Sequence, residues 1–111
     1  MALAVFVQEG DQIDYTPSAD VAAGDVVVQG DLLGIARCAI PAGTLGTLAV
    51  AGVFDVVKAS ETEFAVGAKA YWDATNKLAV TTDGGGANKF LGKVVRAAGA
   101  GATTVRVRLS Q

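Results

Sequence analysis

Apolar and polar positions alternate with a period of two along much of the chain, which is the spacing of half-buried β-strands. The clearest run is 103–109, where Val105, Val107 and Leu109 share one face and Thr104, Arg106 and Arg108 the other. Shorter runs of this kind, bounded by Gly, Asn, Asp and Pro, predict strands at 4–8, 11–15, 25–29, 32–38, 45–50, 53–57, 69–73, 78–81 and 90–97. The residues expected to point inward include Ile13, Val27, Leu48, Phe54, Leu78, Val94, Val105 and Val107. No stretch makes a convincing helix, so the pattern predicts an all-β protein. It is expected to be a single small domain, a clip-like or barrel-like sheet of about nine to ten short strands with Gly corners.

The segment 66–80 reads as a complete hairpin. Lys69 to Asp73 form one strand, Ala74-Thr75-Asn76-Lys77 the turn, and Leu78 to Thr81 the return, with Asn76 suited to a left-handed turn position. Tyr71 and Trp72 are adjacent, so they must point to opposite faces: one into the core, the other outward. Three further stretches share a form, an apolar residue followed three positions later by Gly and then by a strand. They are Val21-Ala22-Ala23-Gly24, Ile40-Pro41-Ala42-Gly43 and Phe64-Ala65-Val66-Gly67. In each the Gly is expected to take positive φ at a type II turn that redirects the chain. Their spacings of 19 and 24 residues are unequal, which argues against a solenoid or propeller. Hairpin tips are expected at Gln29-Gly30-Asp31 and Ala51-Gly52, a polar surface loop at 58–63, and a flexible loop at 83–88.

Composition refines this picture. At 111 residues and 51% hydrophobic but only 6% aromatic, the chain builds its core mainly from Val, Ala and Leu. The single Cys38 excludes an internal disulfide and is expected to be a small, at least half-buried apolar residue. The first residues lack the basic start of a signal peptide, and no apolar run approaches the roughly 18 residues of a membrane span. Synthesis in the cytoplasm, with no membrane partner, is therefore the expectation. Net charge is −2, yet the charges are sorted: six acids and no base precede Arg37, and five bases and no acid follow from Lys89. Either the two ends of the chain lie side by side and neutralise each other, or acidic and basic surfaces meet between subunits.

Catalytic chemistry is missing. With no His and one Cys, the chain lacks the usual general base, the zinc ligand sets and the Cys–His or Ser–His nucleophile pairs. Gly84-Gly85-Gly86-Ala87-Asn88-Lys89-Phe90 lacks the Lys-Ser/Thr ending of a phosphate loop, and Gly99-Ala100-Gly101 lacks a third Gly and precedes a strand. No enzyme and no cofactor are expected. Lys93, Arg96, Arg106 and Arg108 could share one basic face, but a pI near 4.8 argues against nucleic acid as its partner.

From Val7-Gln8-Glu9-Gly10-Asp11 through Ala22-Ala23-Gly24-Asp25, Ile40-Pro41-Ala42-Gly43, Leu48 to Phe54, Gly67 to Asp73, Leu91-Gly92-Lys93-Val94 and Val105 to Leu109, the chain resembles a family of small phage and prophage proteins. These are read as capsid cement or head-decoration proteins. The match runs nearly the whole length. A recombinase-like label sometimes attached to the family does not fit residues that hold no phosphate loop. The resemblance implies a structural virion protein on the capsid exterior, bound to the major capsid protein and stabilising the shell against internal DNA pressure. A homo-oligomer is expected, a trimer being favoured over a dimer, although no motif carries that choice. A tail subunit or a DNA-binding accessory protein is the alternative. Residues 1–8 are expected to be an N-terminal strand or arm and 9–111 the domain. Leu3, Val5 and Phe6 are the expected capsid-binding residues, and Tyr71, Trp72, Arg106 and Arg108 the expected oligomer interface. The far-ultraviolet circular dichroism of the protein is predicted to be that of a β protein, and a dominant helical signal would contradict this assignment.

Overall fold

The computed structural model describes residues 3–5 and 10–109 and contains nine strands. They are β1 Gln12–Tyr15, β2 Val26–Gln29, β3 Leu32–Ile35, β4 Gly46–Ala49, β5 Gly52–Val57, β6 Lys69–Asp73, β7 Leu78–Val80, β8 Lys89–Arg96 and β9 Thr104–Leu109. A single 3₁₀ turn, Gly84–Gly86, is the only helical piece among the described residues. The all-β class and most strand positions follow the alternation. A strand at 4–8 is not seen at Ala4 and Val5, and its remaining positions lie outside the described residues.

The strands form two antiparallel sheets of one topology. The first has the order β1-β4-β3-β2 and the second β5-β9-β8-β6-β7. Pairing β1 with β5, β2 with β6, β3 with β8 and β4 with β9 makes the two orders identical. The chain is thus built from two copies of one arrangement. In the first copy Gly30-Asp31 joins β2 to β3 directly, Gly30 (φ 61) taking the first loop position as a type II′ turn requires. In the second, β7 and the 3₁₀ turn are inserted between β6 and β8. Ala51 is no hairpin tip: β4 pairs β1 and β3 while β5 pairs β9, so the chain changes sheets there.

Corners hold each copy together. Gly24, Gly43 and Gly67 have φ of 92°, 75° and 84°, as their spacing predicted, and Gly101 (φ 95) is a fourth of the same kind. Each turn is closed by a bond from the residue after Gly to the carbonyl two before it: Asp25 to Ala22, Thr44 to Pro41, Ala68 to Ala65 and Ala102 to Gly99, at 3.1–3.2 Å. The corners work in pairs. Val21 and Ile40 exchange both backbone bonds (2.9 and 2.8 Å), as do Phe64 and Ala98 (2.9 and 3.0 Å). Each corner Gly then donates its N–H to the strand or loop leading into its partner: Gly24 to Ala36, Gly43 to Pro17, Gly67 to Val94 and Gly101 to Ser60, at 2.6–2.8 Å. In all four cases the acceptor lies four residues before the partner's bridging residue.

The main core lies between the two sheets. Leu33 and Ile35 of β3, with Val26 and Val28 of β2, pack against Val56, Ala70, Trp72, Leu91, Val94, Val105 and Val107 of the second sheet. A smaller core of Ala36, Ile40 and Leu48, flanked by Ile13, Tyr15, Val21 and Val27, covers the opposite face of the first sheet. Trp72 faces inward and is only 8% exposed; Tyr71 faces outward, its ring edge-on to Phe90 with centroids 5.7 Å apart. Leu78 is not an inward residue: its neighbour Ala79 pairs with Trp72 and is the buried one, so Leu78 lies on the outer side with Tyr71's partner position Val80.

Several local expectations change. Lys77 (φ 57), not Asn76, holds the left-handed position of the β6–β7 turn, because Asp73 gathers Thr75 N–H, Asn76 N–H and the Asn76 amide on its carboxylate (2.9–3.2 Å). Cys38 is exposed, since it follows the last buried residue of that segment, Ala36, in a bend outside the ladder. Lys58 is buried rather than part of a surface loop, its ammonium donating to the carbonyls of Ala59, Ser60, Thr62 and Gly99 at 2.6–3.4 Å. That replaces its hydration shell and ties the fourth corner to the loop before the third. The 83–88 loop is organised by Asp83, whose side chain and carbonyl accept from Gly85 and from Gly86 and Asn88. Replacing Trp72 with Ala is predicted to cost about 3–5 kcal/mol, through lost burial and a cavity in the shared core. Tyr71→Ala should cost clearly less, and urea titration of the two variants measures the difference.

Candidate interaction surfaces

Strand alternation and pairing register decide which of the candidate residues meet. On the outer face of the second sheet, Asp55, Arg106 and Arg96 stand in one row across β5, β9 and β8. Val53, Arg108, Lys93 and Lys69 stand in the next, across β5, β9, β8 and β6. Arg106 and Arg108 therefore share a face, and Tyr71 lies on it beside Phe90. Trp72 is separated from them by the thickness of the sheet. A shallow cleft of about 270 Å³ opens beside Arg106, lined by Asp55, Arg96, Gly99 and Thr104 among others.

The face is held by one ion pair. Arg106 donates from Nε and Nη2 to the two carboxylate oxygens of Asp55 at 2.9 and 3.2 Å. This hydrogen bond, foremost, holds the Asp55 carboxyl below its ordinary value; burial opposes it, and the charges of Arg106 and Arg96 add to it. Arg106 is correspondingly raised by Asp55. Elsewhere Lys89 bonds Asp31 at 2.9 Å, lowering Asp31, and Asp73 is lowered chiefly by the Asn76 amide. Lys69, Lys93 and Arg108 form no ion pair among the described residues.

At the other end of the chain, Leu3 and Val5 are 92% and 76% exposed and belong to no strand; Phe6 lies outside the described residues. That this stretch is apolar was visible in the sequence; that Leu3 and Val5 are exposed was not. The Val53, Val57 and Val95 side chains, 42–56% exposed around the basic rows, were not anticipated as surface. Only the pairing register shows that they border Arg106 and Arg108. Among the described residues no group of His, Cys, Asp and Glu is placed to hold a metal ion, and no helix is long and apolar enough to cross a membrane.

A family model described as phage cement protein matches residues 7–109. No curated protein and no solved structure matches the chain. The Asp55–Arg106 pair generates a pH prediction. Because the folded carboxyl is depressed, its stabilising effect is present above the ordinary value of 3.8 and is lost as pH falls through the lower folded value. Asp55→Asn should therefore flatten the decline of melting temperature below that pH, while leaving the neutral-pH value nearly unchanged, as expected for a half-exposed pair.

Proposed function

The chain belongs to the phage cement protein family and is a phage structural protein; from that premise we propose that it binds the outside of the capsid and fastens neighbouring capsid subunits. Packaged DNA presses outward on the shell, and a clamp spanning two subunits adds contacts that must break before they separate. Contacts made by linked sites reinforce one another, since each later one is effectively intramolecular. The partner in this reading is the major capsid protein, the location is the virion exterior, and the role is mechanical rather than catalytic.

The observation that carries the proposal is the exposure of Leu3 and Val5 in an apolar stretch of sequence ahead of β1. Leu3 and Val5 expose most of their surface, and Met1 to Gln8 contains no charged side chain. An apolar segment of this kind can add as a strand to a sheet edge on a neighbouring protein, main-chain bonds giving affinity and alternate side chains filling pockets. Leu3, Val5 and Phe6 are the residues proposed to make that contact.

Deleting residues 2–7 tests the assignment. The shortened protein is expected to melt within a few degrees of the full chain yet fail to co-sediment with expanded capsids. If it unfolds, the segment is part of the domain; if it still binds, the grip lies elsewhere.

A further inference from the structure

The second sheet presents a feature that its own stability does not require. Lys69 pairs with Lys93 and Lys93 with Arg108, so three cations stand directly opposite one another across β6, β8 and β9. All three are exposed, and like charges at facing positions of a sheet are destabilising. With Arg96 and Arg106 the face carries five cations against the carboxylates of Asp55 and, at the end of β6, of Asp73, which is engaged by the turn that follows it, and exposed valines border the cations.

The duplicated architecture sharpens the contrast. Lys69 stands two residues after Gly67 as Val26 stands two after Gly24, and Lys93 stands five before Ala98 as Ile35 stands five before Ile40. In the first copy these positions are apolar and pack against the other sheet. In the second the equivalent face is cationic and has no covering element among the described residues. The opposite charge is carried by the other end of the chain. Its first 36 residues contain six acids and no base. Asp11 and Asp14, at edge strand β1, make no side-chain hydrogen bond or ion pair among the described residues. The two ends of the chain do not neutralise each other by pairing, because β1 joins β4 and β9 joins β5 and β8. Among the described residues, Asp31 with Lys89 is the one ion pair that links the two groups.

We propose that the basic outer face of the second sheet docks the acidic β1 side of a second copy of this chain, forming a head-to-tail oligomer. Opposed charge fields set the orientation, and the valines beside the cations supply apolar contact. A heterologous contact of this type closes into a ring when its rotation permits.

Sedimentation velocity of the full chain, without capsids, tests this independently of capsid binding. The wild type is expected to self-associate at low salt and to dissociate as salt screens the charges. Lys93→Glu with Arg108→Glu should weaken association by about tenfold or more, as should Asp11→Lys with Asp14→Lys. Mixing the two double variants should restore a complex, and unchanged circular dichroism would confirm that each is folded. A monomeric wild type, unaltered association in either variant, or no complex on mixing would overturn the proposal. A monomer that loses capsid binding with Lys93→Glu and Arg108→Glu would instead assign the face to the capsid. A monomer whose binding to a duplex oligonucleotide falls steeply with salt would assign it to nucleic acid.

Discussion

Everything in this fold is set by the way Gly corners are joined in pairs. A corner alone is a weak device, one hydrogen bond closing four residues. Here each corner's bridging residue exchanges two bonds with its partner's, and each corner Gly gives its N–H to the chain that leads into the partner. The strands that leave two joined corners therefore start at a fixed separation and direction, which dictates the shared order of the two sheets. Pro17 fits this scheme, since it serves as acceptor to Gly43 and its missing N–H is not needed.

The two copies spend that common frame differently. The first sheet buries apolar side chains on both faces, covering a small core with its own corner residues and offering Leu33, Ile35, Val26 and Val28 to the second sheet. The second sheet encloses the large core on one side only. Its added β7 hairpin widens that core by bringing in Ala79 opposite Trp72. Lys58 sits where the third and fourth corners meet, and four carbonyls around one ammonium stabilise a junction too polar to be closed by side-chain packing. Gly92 marks the tightest approach between strands at a glycine: a Cβ there would collide with the Arg108 carbonyl oxygen.

Since the second sheet's outer face is excluded from the core, its chemistry is free to serve contact with other molecules. Leu3 and Val5, exposed ahead of β1, are free in the same sense. The frame that presents these surfaces is a pair of antiparallel sheets, each copy tied by one pair of joined corners. The described residues that carry charge are accordingly concentrated on the strands' outer sides and loops, with Lys58 the sole buried polar or charged residue among them.

The sequence by itself determined the all-β class, nearly all the strands and three of the four corners, because each is a local matter: a period of two, or a Gly three residues after an apolar anchor. It also announced the charge sorting, the apolar start and the family. Gly101 escaped notice because its anchor, Ala98, is small and ordinary until it bridges Phe64. What only the tertiary structure decided is which local units join. That β4 and β5 part into different sheets, that Trp72 and not Tyr71 enters the core, that Leu78 turns outward and that Lys58 is buried all depend on contacts between distant residues. The row Lys69–Lys93–Arg108 is of the same kind. Its members are 24 and 15 residues apart along the chain, and only the register of three strands, with a shift between Ala70 and Tyr71, places their charges side by side.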